Sequence, residues 1–147
     1  MAIAEQSKEY CKNYFENLSQ RGKKIAKQAE EYIKCYFRDI REIELVRRAG
    51  RGECGFDFRD DSSGLFVEVK GSEKSFSRFP GCYFTKLEYE KARSCQREGT
   101  EYEIHLVVGI GSESPEHYMG LGKVLLDQAT AEVSWWLNRK DFRNYDC

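Results

Sequence analysis

The stretch that decides the fold is Gly55-Phe56-Asp57-Phe58-Arg59, the cluster Asp60-Asp61-Ser62-Ser63-Gly64, and then Leu65-Phe66-Val67-Glu68-Val69-Lys70. The outer runs alternate apolar and polar residues, the period of a half-buried strand. The middle run is Asp, Ser and Gly, which supply turns. The pattern predicts an antiparallel hairpin. Alternation puts Glu68 and Lys70 on one face of the return strand and Val67 and Val69 on the other. Asp57, with Phe56 and Phe58 pointing away from it, comes to lie across from Glu68 and Lys70. Two carboxylates and an ammonium are thereby expected at one small site beside an apolar core.

Upstream, Ile3 to Leu18 contains neither Gly nor Pro and reads as a helix. Gly22 interrupts the pattern. Lys23 to Phe37 resumes it, with Ile25, Ala29, Tyr32, Ile33 and Tyr36 on one stripe. Glu42 to Val46 alternates as a strand and leads into Arg47, Arg48 and the Gly50-Arg51-Gly52 turn. Downstream, Gly71 to Cys82 reads as a loop. Thr85-Lys86-Leu87-Glu88 has capping-box spacing and opens a helix to about Arg97, with Leu87, Ala92 and Cys95 facing inward and Gly99 as its stop. Tyr102 to Ile110 is the most buried-looking strand. A further strand is expected near Lys123 to Leu126, followed by the apolar run Val133 to Leu137. The order predicts an α/β fold with a mixed sheet flanked by helices. It forms one domain, a helical N-terminal segment over residues 1–38 and an α/β core over 39–147.

With 147 residues, the chain is long enough for a single core. Its nine Tyr and nine Phe exclude a disordered tail. No apolar stretch is long enough to span a bilayer. Met1 to Tyr10 lacks the apolar centre of a signal peptide, so a cytoplasmic location without membrane contact is expected. The net charge of −1 counts against a large, sequence-tolerant nucleic-acid groove, because such grooves are basic. It leaves room for a local basic face around a metal. Six scattered cysteines with no C-x-x-C pair, and two histidines twelve residues apart, discount a zinc site and thiol catalysis. Free thiols are expected. Gly120-Leu121-Gly122-Lys123 lacks phosphate-loop spacing.

Hard divalent cations take oxygen ligands, and Mg²⁺ commonly uses one or two carboxylates while keeping waters. A lysine beside such a metal is equipment for phosphodiester hydrolysis. An E-x-K triplet alone is worth nothing, since Asp57 and Lys70 would serve equally as a cross-strand charge pair. Arg47, Arg48 and Arg51 before Asp57, and Lys74, Ser75 and Arg78 after Lys70, are candidates for gripping phosphate. Trp135 and Trp136 read as core or dimer surface.

Gly55-Phe56-Asp57-Phe58 followed by Phe66-Val67-Glu68-Val69-Lys70-Gly71-Ser72 resembles the PD-(D/E)xK nuclease superfamily, which carries D…E-x-K on a hairpin. Together with Tyr83 to Ala92 and Tyr102 to Val108, the pattern looks most like the NO VEIN C-terminal domain family. Cys54-Gly55-Phe56-Asp57 departs from the nominal Pro-Asp, which leaves the aspartate in place. The resemblance implies a restriction-endonuclease-like core. It implies Asp57 and Glu68 as metal ligands with the Val69 carbonyl as a third, Lys70 as the catalytic lysine, and Glu30 as a helical glutamate at the site. It further implies Mg²⁺ as cofactor with Mn²⁺ able to substitute, and a DNA endonuclease in restriction, defence or repair. Nucleic acid would be the partner, with a homodimer and a larger defence or repair complex as further expectations. The alternative is a catalytically silent module that binds nucleic acid or protein.

Overall fold

The structure is a computed structural model and describes residues 20–49, 54–128, 130–131 and 135–144. The expected helix from Ile3 to Leu18 lies outside the described residues, as does the Gly50-Arg51-Gly52 turn.

Helix α1 (Gln20–Ile40) leads into β1 (Val46–Arg47), β2 (Phe58–Asp60) and β3 (Leu65–Gly71). A short 3-10 turn (Phe76–Arg78), β4 (Gly81–Phe84), α2 (Lys86–Glu98), β5 (Tyr102–Val108) and β6 (Glu116–Leu121) follow. The chain continues through α3 (Gly122–Gln128), β7 (Thr130–Ala131), β8 (Trp135–Asn138) and β9 (Arg143–Asn144). The main sheet has the order β1-β2-β3-β5-β6-β9. Every neighbouring pair is antiparallel except β3 and β5, which run parallel. A parallel pair needs a crossover, and here the crossover carries β4 and α2. The second sheet, β4-β8-β7, is antiparallel.

Two apolar layers sandwich the main sheet. On one face α1 buries Ala29, Ile33 and Phe37 completely against Phe58, Val67 and Val107. Ala29 and Ile33 belong to the stripe expected from the sequence, and Phe37 is added to it. On the other face α2 and α3 bury Ala92, Cys95 and Leu125 against Ile104, Leu106 and Phe84. All of β5 is buried, as a central strand covered on both faces requires.

Several local expectations are corrected. Gly22 lies inside α1 rather than interrupting it, since one glycine costs a helix only about 1 kcal/mol and the buried stripe outweighs that. Glu42 to Leu45 is not strand. Arg41 and Ile43 both donate backbone N–H groups to the Phe37 carbonyl, and Glu42 takes a positive φ of 56°. These residues terminate α1, and the strand is only Val46–Arg47. The expected loop from Gly71 to Cys82 runs into β4 at its last two residues, and the partner of β4 is β8, far away in sequence. Lys123 to Leu126 is helical, within α3, and the strand it was expected to supply is β6 instead. Leu87 is half-buried, and Glu88 takes the inward place. Cys35, Cys82 and Cys95 are free, but Cys54 is disulfide-bonded, against the expectation of free thiols throughout. Spacing along the chain does not show which thiols meet in space. Among the described residues no helix is long and apolar enough to cross a membrane.

Candidate active site

The site begins where the β2–β3 ladder ends. Phe58 pairs with Val67, and the Asp57 N–H donates to the Val67 carbonyl at 2.9 Å. Beyond that point the chain leaves the ladder, turning at Gly55 with φ of +90°. Asp57 therefore continues the ladder with its side chain: Oδ2 accepts the Val69 N–H at 2.8 Å. Gly55 is required at this turn, because an added Cβ would lie 2.5 Å from the Leu87 carbonyl oxygen and 2.9 Å from the Lys91 Cβ. The turn also breaks the alternation read from the sequence. Phe56 enters the core beneath α2, whereas Phe58 enters the core beneath α1.

Phe66 and Ser72 donate their N–H groups toward β5, to the Glu101 and Val107 carbonyls. Alternation along the strand turns Val69 the other way, N–H and carbonyl together. The Val69 carbonyl thus shares the open edge with the Asp57 carboxylate.

Glu68 and Lys70 share the face toward α2, as expected. Glu68 is 4% exposed. The Lys70 ammonium donates to both oxygens of Glu88, at 3.0 and 3.3 Å, and lies 3.4 Å from Glu68 Oε1. It also sits 4.7 Å from the centre of the Phe84 ring. The sequence shows Glu88 only as the capping-box partner of Thr85. The box is present, but its carboxylate is buried and turned onto Lys70. The available signal was that Glu88 follows E-x-K by less than twenty residues, on a helix that must pack over the same strand.

Glu30 belongs to α1, on the opposite face, yet it too is buried, at 8% exposure, and pairs with Arg47 at 2.9 Å. Gly71 permits this approach. A Cβ there would come within 2.8 Å of the Ala29 Cβ and 2.9 Å of Ile110 Cδ1.

These acids act on one another. Burial first, and the neighbouring Glu30 second, push the Asp57 carboxyl up to about 6. Burial, Asp57 and Glu88 together push Glu68 well above its ordinary value. Burial also opposes ionisation of Glu88, but Lys70, a hydrogen bond with Glu68 and the Thr85 N–H outweigh it and hold Glu88 below the usual value. Among the described residues, four carboxyl groups (Glu30, Asp57, Glu68 and Glu88) thus meet Lys70 and Arg47, and Asp57 and Glu68 are held back from ionising. Such a cluster is short of positive charge.

A divalent cation fits the donor chemistry. Among the described residues no three acidic, histidine or cysteine side chains are drawn into a closed cage. The donors at hand are the Asp57 and Glu68 carboxylates and the Val69 carbonyl edge, all oxygen. A hard cation that keeps several waters suits such an open set.

Of the candidate phosphate contacts, Arg48 is tied to the site through its backbone N–H, which donates to the Asp57 carbonyl at 3.0 Å. Arg47 is exposed and held by Glu30. Lys74 and Arg78 are exposed on the segment between β3 and β4. Arg51 lies outside the described residues.

The architecture matches that of Hjc, a Holliday junction resolvase from the archaeal hyperthermophile Archaeoglobus fulgidus, with a TM-score of 0.53. This is a restriction-endonuclease-like fold. The match covers 78% of this chain and 88% of the resolvase at 17% sequence identity, so it speaks to the fold and not to the chemistry. No protein-family model matches the chain, and the NO VEIN likeness rests on its motif segments alone. No curated protein matches it either.

Proposed function

We propose that the protein is a divalent-metal-dependent nuclease that hydrolyses phosphodiester bonds in DNA. The observation that carries this reading is the open edge of β3. There the Asp57 carboxylate, held on the Val69 N–H, stands beside buried Glu68 and Lys70. Burial of so many carboxylates is costly unless something cationic joins them. It has the character of a functional site, where stability is given up for chemistry. The restriction-endonuclease-like fold and the E-V-K-G segment support the same reading, as does the resolvase neighbour.

Asp57, Glu68 and the Val69 carbonyl would hold Mg²⁺, or Mn²⁺ in its place, with Glu30 behind Asp57. When bound, the cation supplies a lowered pKa for water and neutralises charge developing on phosphate oxygens. Lys70 is the group able to orient a nucleophile and donate hydrogen bonds to the phosphate, because its ammonium has three donors and sits against the carboxylates. Arg47 and Arg48, with Lys74 and Arg78 on the next segment, would grip flanking phosphates without reading bases. Cutting both strands of a duplex takes two such sites, which a homodimer supplies. Restriction, defence or repair of DNA, within a larger complex, is the setting this activity fits.

Cleavage of duplex, single-stranded and branched DNA, with RNA alongside, tests the reading in Mg²⁺, Mn²⁺ and EDTA. Metal-dependent cleavage of DNA that Lys70→Ala abolishes is expected. Cleavage unaffected by EDTA or by Lys70→Ala overturns it, and binding without cleavage would assign a silent module.

A further inference from the structure

We propose that Glu88 is a positioning residue for Lys70, using the cap of α2 to hold the lysine in register with the carboxylates of β3. The proposal rests on the nuclease reading and adds to it a residue from an element outside the hairpin.

A capping-box glutamate ordinarily reaches back to the N-cap backbone at a helix surface. Glu88 does this, accepting the Thr85 N–H at 2.9 Å through Oε1, while its own N–H donates to Thr85 Oγ1 at 3.2 Å. It is nonetheless 7% exposed. The same Oε1 accepts the Lys70 ammonium at 3.0 Å, and Oε2 accepts it at 3.3 Å. The carboxylate is thus fixed from one side by the helix terminus and engaged on the other by the lysine.

Lysine is a flexible stem carrying a point charge, and on its own strand the ammonium meets Glu68 at 3.4 Å. The Lys70 side chain is 13% exposed. Its shorter contacts are with Glu88, whereas Glu68 lies 3.4 Å away. Glu68 is the residue that would turn to a cation, so a lysine held by Glu68 alone would lose its anchor when the cation arrives. Glu88, tied to the terminus of α2 through the Thr85 N–H, stays in place as an anchor. Phe84, at the end of β4, closes the remaining side with its ring. Misplacing a reacting group by about 1 Å can cost on the order of a hundredfold in rate, so such an anchor has a function beyond stability.

Capping and positioning can be separated, because glutamine also serves at this place in a capping box. In Glu88→Gln the amide oxygen in the place of Oε1 still accepts the Thr85 N–H and meets the ammonium, but an amide nitrogen replaces Oε2, so the negative charge and one of the two contacts to Lys70 are gone. Thr85→Ala removes the opposite half of the cap and leaves the Glu88 carboxylate. Two readouts are needed. The first is the nitrogen-detected ammonium signal of Lys70 in metal-free protein, which a held and shielded ammonium shows and a mobile one loses to exchange. The second is steady-state cleavage with Mn²⁺, together with Mn²⁺ affinity.

Glu88→Gln is expected to lose the Lys70 signal and to lower kcat between about tenfold and a hundredfold. KM and Mn²⁺ affinity should stay within about twofold, the split expected of a residue that acts on the reacting state. Thr85→Ala should keep both the signal and kcat while melting earlier. A Lys70 signal that persists in Glu88→Gln, or disappears equally in Thr85→Ala, overturns the proposal, as does wild-type kcat in Glu88→Gln. Absence of cleavage by the wild-type protein would overturn the nuclease reading, and the ammonium comparison would still decide the role of Glu88.

Discussion

The Tyr102 hydroxyl donates to the Gly55 carbonyl at 2.7 Å, joining the central strand β5 to the turn that aims Asp57. The hydroxyl is fully buried and its pKa is pushed well above the ordinary tyrosine value, by burial first and then by Glu68, Glu88 and Asp57. It is therefore a proton donor at any working pH, and the turn carbonyl is its acceptor. Tyr102→Phe keeps the ring in the core and leaves that carbonyl unpaired. A loss of about 1–3 kcal/mol is expected, read as a lower urea midpoint. Cleavage should fall as well, since Asp57 lies two residues beyond the turn. Unchanged midpoint and rate would show that the turn needs no such tie.

Asp57→Asn separates stability from chemistry. The amide oxygen can still accept the Val69 N–H, but the charge beside Glu30 and Glu68 is gone. The folded carboxyl titrates at about 6 against 3.8 for the ordinary group. A raised folded pKa contributes stability that is present below the unfolded value and lost as pH rises through the folded one. Ionised Asp57 thus weakens the metal-free fold above about pH 4, fully so above pH 6. Asp57→Asn should be more stable than wild type at pH 7.5, on the order of 2 kcal/mol, while losing Mn²⁺ affinity and cleavage. Calorimetric titration and urea unfolding on the same samples check both. A less stable Asp57→Asn would contradict the crowding of charge.

The hairpin was legible because its two periods and its turn chemistry are local. Glu68 and Lys70 were legible for the same reason, since a strand fixes which side chains share a face. The capping box at Thr85 and the αL glycine at Gly99 were legible because caps are local too. Strand β4 was not, because its pairing with β8 joins residues more than fifty apart and its sequence carries Gly81 and a preceding proline. The helix α3 was misread as strand because Val124 to Leu126 is a short apolar run, and period alone cannot divide helix from strand at that length. Glu88 was half legible: the sequence gives its cap, but only packing of α2 over β3 shows that the cap faces Lys70.

A second titrating network lies on the α1 side of the sheet and acts with the opposite sign. Arg41 holds Glu103 with two hydrogen bonds, Glu103 accepts from His105 Nε2 at 2.8 Å, and His105 Nδ1 meets His117 Nε2 at 2.7 Å. Burial, then His105, push His117 down to about 3. Burial opposes ionisation of Glu103, but His105 and Arg41 outweigh it and hold it at about 2. The unfolded chain binds a proton at His117 below about pH 6.5 while the folded chain refuses it, so stability falls as pH drops from 6.5 toward 3. Glu103 adds to the loss between 4.5 and 2. In a background carrying both Asp57→Asn and Glu68→Gln, where the two raised carboxyls are gone, the urea midpoint should decline steadily from pH 7 to pH 4, on the order of 3 kcal/mol in all. A flat profile would mean that the histidines are accessible to protons in the fold.

The last residue of E-V-K-G makes the site depend on helix packing. Gly71 takes no left-handed conformation, so its role is space: a Cβ would meet the Ala29 Cβ at 2.8 Å, Ile110 Cδ1 at 2.9 Å and Ile25 Cγ2 at 3.2 Å. Ile110 can yield at its Cδ1 tip and Ile25 by a few tenths of an ångström, but Ala29 has no torsion with which to move. Relief requires α1 to shift outward, and Glu30 is the next residue along it. Gly71→Ala should cost about 1–3 kcal/mol, as overpacking does. It should also draw Glu30 away from Asp57, whose raised pKa owes its second-largest contribution to that glutamate. The Asp57 carboxyl, followed by carbon-detected titration, should then fall below its wild-type value. The same fall without the loss of stability is expected in Glu30→Gln, where α1 stays seated. If Gly71→Ala destabilises the protein and leaves the Asp57 titration unmoved, the strain is absorbed by Ile25 and Ile110 and the glycine does not set the distance between α1 and the site.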